Sequence, residues 1–248
     1  GVHCGIRKNH VKKDLALIIS EVPASTAAVY TTNLVKGAPL TVTKKHIADG
    51  KAQAVICNSG NANTCNANGI EIAEEMGKLV EKQFGVKADD VVVASTGVIG
   101  QPLCLDPIKE GLPKLAEALS KNGNADAAEA IMTTDTIKKE VAVEFEIYGK
   151  LCHMGGMAKG SGMIHPNMAT MLVFITTDAA ISPEMLNKAL KNDIADTFNM
   201  VSVDGVTSTN YMVTVMANGL AGNKEIDSDG EDFRTFMKAL NTLNVQLC

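Results

Sequence analysis

The chain has 248 residues, of which 46% are hydrophobic and 21% charged, so it can bury a sizeable core and is neither disordered nor fibrous. Its formal charge of −5, with basic residues scattered, leaves no electrostatic footprint for a nucleic-acid backbone. No apolar run approaches the roughly 18 residues of a membrane span, and the opening GVHCGIRKNHVKKDLALII has His, Arg and Lys where a secretory leader needs an apolar centre, so a soluble cytoplasmic protein is expected.

In chain order, short runs of branched apolar residues ending in Gly, Asn, Asp or Ser predict strands over 15–20, 27–32 and 52–60. A helical period follows over 69–84, then a strand over 91–97 and helices over 107–120 and 124–132. The segment VAVEFEIYG, 141–149, is the one that alternates strictly. Val141, Val143, Phe145 and Ile147 fall on one side and Glu140, Ala142, Glu144 and Glu146 on the other, which predicts one wet face. The remaining strands, including 171–179 and 211–219, read as buried on both faces. Helices are predicted over 182–192, where Ser182 precedes Pro183 as an N-cap, and over 230–243. No repeat or linker divides the chain, and strands mixed with helices in this order suggest sheets covered by helices.

Six cysteines (Cys4, Cys57, Cys65, Cys104, Cys152 and Cys248) show no CxxC spacing and are expected as reduced thiols, with Cys57, Cys104 and Cys152 in apolar surroundings. No P-loop, GxSxG elbow or second His/Cys pair at zinc spacing is present, so no metal site is expected. Gly1 in place of Met implies a natural beginning that lies elsewhere.

Four turn regions are richer in small polar residues than turning requires. NSGNANTCNANG (58–69) holds Gly60, Gly69 and five asparagines, and its residues alone favour a long structural turn. STGVIGQP (95–102) sets Thr96 and Gly97 at a strand's end, the equipment of an oxyanion hole and equally of an ordinary turn. MTTDT (132–136) gathers three hydroxyls, Thr133 among them, around Asp135, which reads first as a cap. In KGSGMIHPNMATML (159–172), Lys159 stands among Gly155, Gly156, Gly160 and Gly162, solvated by default or else drawn to an anion. Thr170 places a hydroxyl between that loop and a strand. If the Ala169–Thr170 bond were cut, its free α-amine, with a pKa of roughly 8, would be suited to act as base toward its own hydroxyl.

The chain closely resembles the ornithine acetyltransferase family of arginine biosynthesis, the glutamate N-acetyltransferases and bifunctional enzymes called ArgJ. The matching stretches are GVHCGIRK, DLALI, TTNLVKGAP, NSGNAN, ASTGVIG, AIMTTDT, GGMAKGSGMIHPNMATML, FITTDA, FNMVSVDG and TSTN, of which the MATML-containing one is the specific match. The resemblance implies an α+β fold, a four-layer αββα sandwich of mixed sheets like that of N-terminal-nucleophile enzymes, with the family's C-terminal part missing here. It implies self-cleavage between Ala169 and Thr170 into an alpha chain, 1–169, and the start of a beta chain, 170–248, assembling as a heterotetramer. Thr170 would be the acetyl-carrying nucleophile, Thr96 and Gly97 the oxyanion pair, and Thr133, Lys159 and Thr170 the substrate-binding residues. The implied reaction is ping-pong: N-acetylornithine gives its acetyl group to Thr170, and glutamate takes it. No cofactor is implied, with acetyl-CoA a further co-substrate of bifunctional members.

Two departures stand out. The family's later DGEGATK segment has no match in the DSDGEDF of 227–233, and Val206 and Tyr211 replace acidic residues of the family's VDGDTSTND. The competing readings are an N-terminal-nucleophile amidohydrolase or aminopeptidase, which would pass the group to water, and an inactive amino-acid-binding remnant.

Overall fold

A computed structural model describes residues 1–8, 11–160, 171–201 and 208–248. Among them, seven strands form one mixed sheet in the order β3-β2-β1-β7-β6-β5-β4. The strands are β1 (Leu15–Tyr30), β2 (Lys51–Asn61), β3 (Val91–Val98), β4 (Lys139–Ile147), β5 (Lys150–Lys159), β6 (Leu172–Thr177) and β7 (Met212–Ala217). Six helices accompany them: α1 (Ala38–His46), α2 (Gly69–Phe84), α3 (Asp106–Ala118), α4 (Asn124–Ile131), α5 (Pro183–Asp196) and α6 (Glu231–Leu247). The α+β class, with helices on both sides of a mixed sheet, is as the sequence implies.

The strands predicted over 15–20 and 27–32 are one strand. Its register against β2 shifts between Ile19 and Ala24, so the turn-like residues around Pro23 make an irregularity where proline's missing N–H costs no ladder bond. Beyond it, Ser25–Tyr30 runs antiparallel to β7, and β1 thereby joins the two halves of the sheet. Two elements were not expected. Helix α1 forms from a β-branched segment because tertiary contacts override its weak propensity, Thr43 and His46 bonding to the backbone of β3. Strand β5 falls in a stretch, 150–158, for which the sequence pattern predicts no element. It pairs with β4 along its length through a turn with positive φ at Tyr148 and Gly149. A Cβ at Gly156 would lie 2.9 Å from both Leu243 and Leu247, so the missing side chain lets α6 approach the strand.

On one face of the sheet, α2 and α3 lay Ile72, Met76, Val80, Ile108 and Leu112 over Leu15, Ile56, Val91 and Val93. On the same face, α5 and α6 cover Val173, Ile175, Val213 and Val215 with Leu186, Leu190, Phe236, Leu240 and Leu243. Each such fully buried side chain is worth roughly 1.5–3 kcal/mol of transfer free energy. The opposite face carries α4, whose Ala127, Ala130 and Ile131 meet Ala16, Cys57, Ala94, Leu172 and Phe174. Ser182 caps α5 as read, accepting from the Met185 N–H at 3.2 Å. Strand β4 has its wet face, with Ala142, Glu144 and Glu146 exposed and Ile147 buried, and β3, β6 and β7 are buried nearly throughout. Cys57 and Cys152 are buried as expected, but Cys104 is exposed because it sits just ahead of α3 rather than within an element. No described helix is long and apolar enough to cross a membrane.

Candidate active site

Side chains two apart along a strand share a face. Thr96 therefore lies on the α4 side with Val92 and Ala94, and Lys159 lies there with Met157. The two strands are far apart in the strand order, but Val92 and Ala94 of β3 share a buried cluster with Leu172 and Phe174 of β6, so the sheet curls and brings the end of β3 within a lysine's reach of β5. Lys159 Nζ donates to Thr96 Oγ1 at 3.1 Å and to Thr133 Oγ1 at 2.9 Å. Thr133 arrives from the turn that follows α4, just past Ile131.

Lys159 is 3% exposed, so solvation, the default reading of its surroundings, is overturned. It belongs to a strand and not to a glycine loop, and that strand carries it into the interior. Burial holds its ammonium below the ordinary lysine value, and the Asp135 carboxylate pulls partly the other way. Asp135 is indeed a cap: its oxygens accept from Gly160 N at 2.7 Å and Thr133 N at 3.2 Å, fixing the backbone that presents both Lys159 and Thr133. The lysine is thus bonded to two neutral hydroxyls, with a carboxylate close by but engaged elsewhere.

Gly97 follows Thr96 with φ +133°, and a Cβ there would run into the backbone of Gly60 and Asn61 on the adjacent strand. Only glycine lets the chain turn its N–H at this corner. The expected Thr96, Gly97, Thr133 and Lys159 are therefore brought together. Ala169, Thr170 and Val206 lie outside the described residues. Met171, next after Thr170 in the chain, precedes Leu172, which is the ladder partner of Lys159. Tyr211 is fully buried in the core beneath α5 and α6, and its hydroxyl has no hydrogen-bond partner among the described residues.

Arg7, Ser59 and Asp14 were not singled out from the sequence. Arg7 Nη2 donates to Ser59 Oγ at 2.7 Å, and Ser59 Oγ donates to Ala130 O at 2.5 Å, tying the last turn of α4 to β2. Arg7 is held by the buried Asp14 carboxylate, which accepts from the N–H groups of Cys4, Gly5 and Arg7 at 2.6, 3.2 and 3.0 Å. Only the stretch GVHCGIRK hinted at it. Cys57, expected in apolar surroundings, lies close by: burial pushes its thiol up to about 12, which suits an inert packing residue and not a nucleophile. Asn58, Asn61, Asn63 and Asn66 bond the protein, in keeping with a structural role for that turn. Asn58 accepts from Ser95 Oγ at 2.6 Å, and Asn63 Nδ2 donates to Gly69 O at 2.8 Å.

A buried ammonium anchoring two hydroxyls beside a glycine corner is equipment for stabilising an oxyanion. The ArgJ family profile matches residues 1–248. The arginine biosynthesis bifunctional protein ArgJ of Symbiobacterium thermophilum is 52% identical over 237 residues, 95% of this chain and 59% of the relative, so the chain spans less than two thirds of that protein's length. Among solved structures, the arginine biosynthesis bifunctional protein argJ from Bacillus halodurans aligns with TM-score 0.63 and 44% identity, covering 69% of this chain and 88% of that one. The ornithine acetyltransferase of Mycobacterium tuberculosis complexed with ornithine aligns with TM-score 0.60 and 32% identity, covering 69% and 90%. With the profile spanning every residue and half of all positions identical to a named relative, this chain belongs to the ArgJ family.

Proposed function

We propose that this chain supplies the acyl-transfer centre of an ornithine acetyltransferase of arginine biosynthesis, in which Thr170 carries the acetyl group between N-acetylornithine and glutamate. The observation that carries the reading is the bond of Lys159 to both Thr96 and Thr133. Because Lys159 donates into Thr96 Oγ1, the hydroxyl proton of Thr96 is left to point elsewhere, and the positive charge polarises it as a donor. With the Gly97 N–H, it would meet the oxygen that becomes negative when Thr170 Oγ attacks the acetyl carbonyl. The amide C–N bond then breaks, ornithine's nitrogen takes the proton, and the amine of glutamate later attacks the Thr170 ester and frees the hydroxyl. The α-amine of Thr170, exposed by a cut after Ala169, would move those protons. Acetyl-CoA could load the same oxygen, which suits the name bifunctional borne by the relatives.

The fold explains how such a cut leaves one body. The strands after position 170, β6 and β7, lie between β5 on one side and β1 on the other, so the second piece is interleaved into the sheet of the first. Two ladders would have to break before the pieces part. This supports an enzyme assembled from both cleaved chains.

Denaturing mass spectrometry after incubation with N-acetylornithine tests the reading. Two fragments that divide before Thr170, with one acetyl group on the later fragment, are expected, and Thr170→Ala should stay whole and transfer nothing. Acetyl transfer by Thr170→Ala at the wild-type rate sinks it. Release of free acetate with no N-acetylglutamate, when glutamate is supplied, would turn the assignment to a hydrolase.

A further inference from the structure

Asn210 has no part in the chemistry above, yet its amide is saturated. It is 4% exposed and lies two residues ahead of β7. Its Nδ2 donates to Ala62 O at 2.7 Å and to Ser95 O at 2.9 Å. Its Oδ1 accepts from Thr64 Oγ1 and Thr209 Oγ1, each at 2.7 Å. Two donors and two acceptor sites are all that an asparagine side chain has.

The placement of these partners is informative. Ser95 O belongs to the planar peptide whose nitrogen is that of Thr96, so holding the oxygen fixes the plane from which Thr96 departs. On the far side of the corner, Ala62 N donates to Val98 O at 2.9 Å, and Gly100 N donates to Thr64 O at 2.9 Å. Asn210 grips Ala62 through its carbonyl and Thr64 through its hydroxyl. Thr96 and Gly97 are therefore bracketed from before and after, and both halves of the bracket converge on one amide. Among the described residues, strand β3 has a neighbour on one side only, so side chains rather than a second strand do the holding at this point.

We propose that Asn210 is a positioning residue for acyl transfer, setting where the Thr96 hydroxyl and the Gly97 N–H stand relative to the reacting carbonyl. The proposal rests on the reading given above. Asn210→Asp keeps the shape and turns donor into acceptor against two carbonyl oxygens. Thr64→Val removes one of the bonds that orient the amide and touches neither Thr96 nor Gly97.

The measurement is the single-turnover rate of acetylation of Thr170 by N-acetylornithine in the intact enzyme, followed by mass spectrometry on the cut fraction, with the substrate concentration for half-saturation and the thermal midpoint. For Asn210→Asp the rate is expected to fall on the order of 10²-fold, the cost of a small misplacement, with half-saturation within about two-fold. Thr64→Val is expected to fall on the order of ten-fold, the equivalent of one hydrogen bond. A merely structural asparagine would lower the midpoint and leave the rate of the folded protein alone, and that result in Asn210→Asp overturns the proposal. Where Asn210→Asp stays unfolded or uncut, Thr64→Val decides: a slowed rate supports the proposal and a wild-type rate overturns it. A wild-type enzyme without acetyl adduct removes the underlying reading and this proposal with it. An acetylated wild type beside an unimpaired variant removes the positioning role alone.

Discussion

The two edges of the sheet are guarded in opposite ways. At β3 the carbonyls of Val91, Val93 and Ser95 are taken in turn by His46 Nδ1 at 2.8 Å, Thr43 Oγ1 at 2.8 Å and Asn210 Nδ2 at 2.9 Å. At β4 no such row exists among the described hydrogen bonds, and the exposed Glu144 and Glu146 guard that border with charge. A charged border needs only to be unattractive to another strand. The β3 border leads directly into Thr96 and Gly97, so it must be held in place, and directional bonds from distant parts of the chain do that. The contrast teaches that one edge is protected by composition and the other by geometry.

The largest effect is expected where the geometric edge meets the charge. Lys159→Met should lower acetyl transfer on the order of 10²-fold through the loss of polarisation at Thr96, read by steady-state kinetics. Its stability should respond to pH as well. The lysine's pKa is held below its unfolded value, so wild type carries a burial penalty at lower pH that eases as pH rises through the depressed value toward about 10.4. Thermal melts should show a rise over that interval in wild type that is missing in Lys159→Met. An equal rise in both would break the link between burial and charge.

Thr43→Val tests the row without touching the site. It strips the partner from Val93 N and Val93 O, both 2.8 Å from the hydroxyl and buried, and is expected to cost about 2–4 kcal/mol, or roughly 5–15 °C in Tm. A loss indistinguishable from zero would mean that this edge is no more dependent on directional bonds than the other.

The smallest effect belongs to the charged side. His153, exposed and opposite Glu144 in the β4–β5 ladder, has its pKa raised by the hydrogen bond to Asp178 at 2.8 Å, with that carboxylate's charge adding to it. The contact adds stability below about pH 6.5 that is lost as pH climbs through the raised value. Asp178→Asn should bring the NMR titration midpoint of His153 down toward about 6.5. An unmoved midpoint would leave Glu144 as the source of the shift.

Much of this was legible in the residues. Period-two alternation over 141–147 exposes β4, the apolar periods placed α2 through α6, and the turns rich in small polar residues held Thr96, Gly97, Thr133 and Lys159, which the family resemblance turned into site candidates. What the residues misjudged was context. Lys159 reads as solvated because its neighbours are glycines, although two of them, Gly155 and Gly156, lie in a strand packed close under α6. Helix α1 reads as nothing in particular because its purpose is to satisfy β3 from outside.

The sequence by itself determined which segments alternate, which turn and which could carry a hydroxyl or an amine, since those properties depend on neighbours a few residues away. Only the tertiary structure decided that Lys159 reaches Thr96 across 63 positions and that Asn210 reaches Ser95 across 115. A hydrogen bond acts over about 3 Å, and which distant groups come within that range is set by strand order and register, not by local pattern.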